Sequence, residues 1–447
     1  MKVAVVGAGI IGVTTAYELS ADGHEVSVFE RRGSVAAETS FANAGLIAPG
    51  YVTPWAAPGM PAKVLKLMMS RHAPVRLRGL HADTLPWMWQ WWRACQLSTY
   101  QSNRLRMQRL AVFSRERLHS LTTDLKLDYE RSDGYLVLLR SDDDLRLARP
   151  GLSSLAELGT RFKMLSAEQC RAVEPNLSPE TELRAGIHLP DDEVGNCRQF
   201  SHLLVREAQR LGARFRFNTE VQRIIRGPLP QLVHEYAPPH AHSTLSTTSE
   251  NALNDAQDTQ PTMQQAVTEG FDAVVVCAAL ESVGLLRPLG LKLPLQAVHG
   301  YSITAPLRDA DAHGGHGPRS ALMDERYKVA ISRLGSRVRV AGSAEIGGSA
   351  TTYHKSSLAT LYKVLHDWFP GSARMSQAQR WKGARPMLPD GPPVLGRSGI
   401  DGVWLNLGHG SSGWALSCGS ARLLADAIVG RPARIDTDGL GVERLSG

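Results

Sequence analysis

The spacing of apolar positions changes period several times along this chain. Val3 to Val6 is an unbroken apolar run of strand length, and small and apolar residues continue from Ile10 to Tyr17 in a helical stretch. Glu25 to Phe29 is strand-like again, so the chain opens as strand, helix, strand. Residues 61–125 carry apolar positions at helical spacing with basic residues between them, and Tyr135 to Leu139 has strand propensity. Residues 153–173 return to a helical period before Pro175 and Pro179 mark a loop. Phe200 to Leu211 predicts a helix stopped by Gly212, followed by a short strand from Arg214 to Phe217. Asp272 to Ala278 reads as a strand buried on both faces, and residues 295–345 alternate as antiparallel strands do. Val403 to Leu407 is a last strand, entering a glycine loop and a helix. Between Gly227 and about Thr268 the apolar content falls and Pro, His, Ser, Thr, Gln and Asn take over, which predicts a mobile surface insertion without chemistry.

This order predicts an α/β protein with a split Rossmann-like domain. Segments 1–50, 190–226, 269–290 and 385–435 form it, and 51–189 with 291–384 form a second α+β domain around a mostly antiparallel sheet. A simple NAD dehydrogenase with a contiguous first half does not show this interruption.

Three glycines join the first strand to its helix, Gly7, Gly9 and Gly12 in a G-x-G-x-x-G spacing, and the second strand ends in the acid Glu30. Gly7 permits the tight turn, Gly9 lets the backbone approach a pyrophosphate, and Gly12 lets helix and strand pack closely. Free N–H groups and the positive dipole end of the helix suit phosphate. Glu30 suits the adenosine ribose hydroxyls, and its charge opposes a 2′-phosphate. The candidate dinucleotide residues are Val3, Val6, Gly7, Ala8, Gly9, Ile10, Ile11, Gly12, Tyr17, Glu30 and Arg31. A structural βαβ turn is the competing reading, and NAD and FAD are both open at this point.

Composition narrows the setting. The chain has 447 residues, a net charge of +7 and five cysteines without a C-x-x-C pair. Scattered, odd-numbered cysteines favour reduced thiols over a disulfide scaffold or a zinc site, and no metal is expected. The positive charge suggests an acidic surface as partner, lipid or nucleic acid. No apolar stretch reaches membrane-spanning length, and the apolar start is taken up by the dinucleotide strand, so a cytoplasmic location is expected.

Further motifs are distinctive. Glu38-Thr-Ser, Ala42-Asn-Ala-Gly45, Ala48-Pro-Gly-Tyr51, Pro54-Trp-Ala-Ala-Pro58 and Trp87-Met-Trp-Gln90 precede Tyr327-Lys-Val-Ala-Ile331 and Arg339-Val-Ala-Gly-Ser-Ala-Glu-Ile346. Trp381-Lys-Gly-Ala-Arg-Pro-Met387, Pro389-Asp-Gly391, Leu405-Asn-Leu-Gly-His-Gly410 and Gly413-Trp414 complete the set. With the glycine loop they resemble the bacterial D-amino-acid dehydrogenases, within the wider D-amino-acid and glycine oxidase flavoproteins. The resemblance runs from Met1 to about Gly430, apart from the insertion. It implies FAD as the cofactor, a split FAD domain and a substrate domain. The implied reaction is oxidative deamination of D-amino acids to 2-oxo acids and ammonia. Hydride passes from Cα to flavin N5, and electrons leave to a membrane quinone.

Such a reaction asks the protein to hold the substrate carboxylate, admit a neutral amine and keep water from the flavin. Arg385 in Gly-Ala-Arg-Pro matches the carboxylate clamp, since a guanidinium fork fixes a carboxylate through two hydrogen bonds; pairing with a structural acid is the alternative. Tyr301 is a candidate second donor to that carboxylate or a packing tyrosine, and Tyr51 is a weaker candidate. The resemblance places Gly408, His409, Gly410 and Gly413 beside the isoalloxazine, where a helix N-terminus stabilises negative charge. His409 either contacts flavin or caps the loop, and is not read as a base. Thr39 and Ser40 resemble the hydroxyl pair beside the flavin, with helix capping as the alternative. Cys418 is read as a core residue rather than a flavin thioether.

Two departures bear on flavin environment and substrate size. Cys277-Ala-Ala-Leu-Glu-Ser282 stands where the family usually has a glycine before Ser-Tyr or Ser-Trp, and Ser411-Ser412 replaces Thr-Leu.

Ala62-Lys-Val-Leu-Lys-Leu-Met-Met-Ser-Arg71, with Arg76, Arg78 and the Trp87, Trp89, Trp91 and Trp92 cluster, reads either as a solvated helix over a tryptophan core or as an interfacial helix on an anionic bilayer. The resemblance favours peripheral attachment to the inner membrane. An O₂-using glycine, sarcosine or D-proline-type amine oxidase is the second enzymatic reading. A nucleic-acid partner is not expected, since no RNA-binding module is visible.

Overall fold

The computed structural model describes residues 1–68, 73–79, 84–157, 159–236, 266–308 and 315–445. Lys2–Val6 lies inside a six-stranded sheet, in the order Val394–Arg397, Val403–Leu407, Ala273–Val276, Lys2–Val6, Glu25–Phe29 and Arg214–Arg216. All neighbours run parallel except the Val394–Arg397 edge. The unbroken Val/Ala runs follow from cover on both faces. Val3, Val5, Val26, Val28 and Val275 pack on helices Ile10–Ala21, Cys197–Arg210 and Gly413–Ile428. Ala4, Val6, Phe29, Val274 and Val276 face the other layer, which contains Ser282–Leu286 and a three-stranded antiparallel sheet. Glu18, fully buried, ties the helical layer together by accepting from Arg117 at 2.7 Å and from Arg422 at 2.8 Å.

That three-stranded sheet, Thr219–Ile225, Gln231–Tyr236 and Val267–Gly270, corrects the boundary of the expected insertion. Gln-Leu-Val-His-Glu-Tyr forms a strand that buries Leu232, Val233 and His234 in a row, a short signal diluted by the polar residues that follow. The rest of the insertion, 237–265, lies outside the described residues.

The second sheet is mixed and mostly antiparallel, with ten strands. From one edge Gln379–Met387, Gln296–Pro306 and Arg337–Ile346 run side by side, continuing through Val329–Leu334 and Ala321–Asp324 to Ser132–Leu139 and Ala185–Val194. Helix Lys355–Trp368 packs on this sheet through Leu358, Leu361, Val364 and Leu365. Leu46–Ile47 pairs with Glu193 and Val194, so this part of the expected first segment joins the second sheet. Residues 153–173 are not one helical stretch. A helix ends at Glu157, Lys163–Ser166 is a strand, and Ala167–Val173 restarts behind a Ser166–Gln169 capping box.

Two buried carboxyl groups give this sheet a pH signature. Burial pushes Asp192 up to about 7 despite the Gly50 N–H it accepts, and pushes Glu174 up to about 7 as well. An acid raised in the folded state holds its proton longer there, so stability is complete below its unfolded value and declines as pH rises to about 7. Asp192→Asn keeps an acceptor for Gly50 and removes the charge. It is expected to raise the melting temperature at pH 8 more than at pH 5, with roughly 1.4 kcal/mol for each tenfold difference in proton affinity that it removes. Equal changes at the two pH values would exclude Asp192 as the source.

Candidate cofactor and substrate site

The end of Lys2–Val6 opens into a groove between the two ends of the chain. On one side stand Val6, Gly7, Gly9, Ile10 and Ile11, with Glu30 and Arg31 at the end of the second strand. Opposite them are Gly408, His409, Gly410 and Gly413, and Thr39 and Ser40 line a third wall. Residues more than three hundred positions apart thus share one surface.

The glycines divide the work. Gly7 has φ +100, and a Cβ there would lie 2.8 Å from the Cys277 carbonyl oxygen. Gly12 does not line the groove; a Cβ on it would sit 1.8 Å from the Gly7 carbonyl oxygen, so it sets the contact between loop and helix. Gly9 is open toward the groove, and a Cβ added to it would meet Ser40 Oγ alone, at 3.6 Å. Because Gly9 is the N-cap and has no side chain, Ser40 Oγ takes over the cap and accepts from the Ile10 N–H at 3.1 Å. Thr39 donates to the Ala384 carbonyl at 2.6 Å, fastening this wall to the second sheet.

Glu30 Oε2 accepts from the Ala8 N–H and Oε1 from the Arg32 N–H, both at 2.8 Å. Burial raises its carboxyl above the usual range, and these backbone bonds oppose the shift. Arg31 pairs with Glu38 at 2.8 Å and Glu281 at 3.1 Å, so it offers no unbalanced charge to a 2′-phosphate. Ala8 acts through its backbone and is absent from the groove wall. Val3 and Tyr17 need correction as cofactor contacts. Val3 is core packing early in the strand, and Tyr17 is two turns into the helix, buried in the helical layer.

At the far end the Gly413–Ile428 helix has no side-chain cap, leaving its first N–H groups for a ligand. His409 is buried, bonded through Nε2 to Ser420 Oγ at 3.1 Å, and burial lowers it to about 3. It is therefore neutral and holds the loop. Cys418 is core, in agreement with its sequence setting, with burial pushing its thiol up to about 12.

Arg385 sits in the Gln379–Met387 strand, one residue before the groove-lining Pro386. Its guanidinium covers Gly300, where a Cβ would lie 2.3 Å from a terminal nitrogen. It donates to the Ser343 carbonyl at 3.1 Å; Ser343 occupies the left-handed region, φ +63, at an irregularity in its strand. Trp55 stacks near it, 5.9 Å from ring centroid to guanidinium carbon, and donates to Ser411 Oγ at 3.2 Å. Trp87 closes the same region and donates to the Met387 carbonyl at 3.0 Å. No carboxylate pairs with Arg385 among the described residues, and burial lowers its guanidinium below the usual range.

Tyr301 and Tyr51 do not join Arg385. Tyr301 is paired with Lys382, three positions before Arg385, so strand alternation puts the two side chains on opposite faces of the sheet. Its hydroxyl donates to Glu345 at 2.8 Å beside the buried Lys382 ammonium. Tyr51 donates to Glu325 at 2.6 Å and packs edge-on against Tyr135. Both hydroxyls are committed to carboxylates.

Several groove residues carried little sequence signal. Asn406 donates to Thr15 at 3.0 Å while its buried Oδ1 has no partner among the described residues. Ala279 lines the groove at φ +49, a conformation costly for alanine, within the departure at Cys277–Ser282. The open Gly9 face, the orphaned Asn406 oxygen and the half-buried Glu30 acceptor together fit an adenine dinucleotide.

Comparison with known proteins resolves which dinucleotide. The family model described as FAD dependent oxidoreductase matches residues 2–427. A D-amino acid dehydrogenase of Cereibacter sphaeroides is 42% identical over 100% of this chain and 96% of its own length. One from Bradyrhizobium diazoefficiens is 41% identical over 100% and 99%. Among solved structures, glycine oxidase from Geobacillus kaustophilus superposes with a TM-score of 0.72 at 18% identity, covering 99% of this chain and 98% of that one. L-proline dehydrogenase from P. horikoshii gives 0.69 at 15%, covering 100% and 97%. FAD is thus the cofactor, and the chain belongs to the FAD dependent oxidoreductase family.

Proposed function

We propose that this enzyme oxidises D-amino acids to 2-oxo acids and ammonia and passes the electrons to a membrane quinone. Arg385 carries the reading: a half-buried guanidinium beside the groove, with no carboxylate partner among the described residues, awaits one. Bound FAD supplies the acceptor for the hydride leaving the substrate Cα. Arg385 grips the carboxylate and fixes Cα, while Trp55 and Trp87 exclude water. Val6, Gly7, Gly9, Ile10, Ile11 and Glu30 would hold the adenosine and pyrophosphate, with Thr39 and Ser40 beside them. Uncapped N–H groups near Gly410 and Gly413 balance negative charge on the cofactor. Neutral His409 takes no proton, and an amine entering unprotonated needs no side-chain base. The names of the relatives at about 40% identity support D-amino acids as the substrate class.

Anaerobic titration of the holoenzyme tests this. D-amino acids are expected to bleach the flavin absorbance while L-isomers leave it yellow; bleaching by L-isomers alone overturns the assignment. Hydrogen peroxide formed in step with aerobic turnover would move the enzyme to the oxidase reading.

For attachment we propose the helix Thr84–Ala94. Trp87 faces inward, whereas Trp89 and Trp92 stack at 5.0 Å on the exposed side, 59% and 53% exposed, with Leu85 beside them. Met60–Met68 is helical nearby, and the Ser70–Arg71 end of the basic segment lies outside the described residues. No described helix is long and apolar enough to cross a membrane. The Trp89→Ser/Trp92→Ser double variant is expected to release protein from anionic vesicles while dye-linked activity persists, since interfacial tryptophans act outside the site. Unchanged vesicle co-sedimentation would reject this face.

A further inference from the structure

A second cavity lies among Phe41–Ala42, the start of helix Cys197–Arg210 and strands Gln296–Pro306, Arg337–Ile346 and Gln379–Met387. It shares no lining residue with the FAD groove. Its charge is unbalanced, because Arg198, Arg337, Arg339 and Arg380 line it with His202 against a single acid, Glu130.

Arg337 uses that acid, donating to both Glu130 oxygens at 2.9 and 2.7 Å. Arg339, only 5% exposed, bonds to the uncharged Thr304 hydroxyl at 2.9 Å and the Asn43 carbonyl at 3.0 Å. Arg198 lies over the Phe41 ring at 4.1 Å, and its buried Nε has no partner among the described residues. Arg380 stands at the exposed rim and bonds only weakly, at 3.3 Å, to the Tyr362 hydroxyl. A guanidinium buried without a counter-charge is costly, and desolvation followed by repulsion from Arg337 lowers Arg339 to about 10. A ligand that brings negative oxygens removes that cost.

We infer that this cavity binds an anion of the phosphate class. A monocarboxylate has two oxygens and one charge, whereas a phosphate has enough of both to engage several guanidinium forks together. The source is either free phosphate and its monoesters or the phosphate of an anionic lipid headgroup. The inference does not depend on which amino acid is oxidised.

The test is calorimetric titration of the FAD-loaded enzyme with inorganic phosphate against chloride at equal ionic strength. Saturable binding is expected in the wild type. Arg198→Gln/Arg380→Gln is expected to weaken it about tenfold or more, with flavin spectrum and turnover retained. Arg385→Ala should keep the wild-type phosphate affinity, which separates this cavity from the substrate site. No saturable heat, or equal affinity in the Arg198/Arg380 variant, overturns the proposal. Phosphatidylglycerol vesicles identify the source: vesicle binding lost in that variant assigns the headgroup, and vesicle binding kept while phosphate binding is lost assigns the free anion.

Discussion

Arg385→Ala is expected to retain yellow FAD and to lose about two to three orders of magnitude in kcat/KM, since truncating one partner of a buried charge pair costs roughly 2–5 kcal/mol. The loss should fall chiefly on KM, because a clamp on the carboxylate grips ground and transition states alike. A smaller loss in kcat follows from a looser Cα. Arg385→Lys restores charge but not the fork, and the ammonium must reach across Gly300, where the guanidinium now lies flat. It is expected to recover only part of the KM. Steady-state kinetics with a dye acceptor and the flavin absorbance of the purified variants read both effects. Unchanged KM in Arg385→Ala would remove this residue from the substrate site, and loss of flavin would make its role structural.

Much of the dinucleotide half is legible in sequence because its information is local. Gly7, Gly9, Gly12 and Glu30 lie within one strand–helix–strand unit, and the turn geometry follows from their spacing. Yet the same unit misleads over Val3 and Tyr17, whose side chains join the sheet and helix core. Motif membership does not say which way a side chain points. The substrate half is less legible still. Tyr301 lies close to Arg385 through the pairing of two strands, but register decides the face, and register is absent from sequence. Trp55, Ser343 and Gly300 converge on Arg385 from separate segments, so no window contains the signal. Trp87 and Trp89 show the same limit in two residues: one is buried against Met387 and the other exposed.

The two glycines of the loop with the most different surroundings separate packing from binding. In Gly12→Ala the new Cβ meets Gly7 backbone oxygen at 1.8 Å and backbone carbon at 2.9 Å, and neither can rotate away. Alanine gains about 1 kcal/mol of helix propensity, but overpacking of a rigid contact costs about 1–3 kcal/mol or more. The net effect is a helix pushed off its strand, lower melting temperature without FAD, and FAD affinity reduced with it. Gly9→Ala meets only Ser40 Oγ at 3.6 Å and adopts φ −66, ordinary for alanine. Its fold should therefore survive, and its methyl should project into the groove where the pyrophosphate needs close backbone approach. FAD titration by flavin fluorescence and thermal unfolding of the stripped protein distinguish the two. Gly9→Ala is expected to weaken FAD at least tenfold at near wild-type apoprotein stability, whereas Gly12→Ala lowers both. A Gly12→Ala protein as stable as wild type would contradict the tight loop–helix contact, and full FAD affinity in Gly9→Ala would place the pyrophosphate elsewhere.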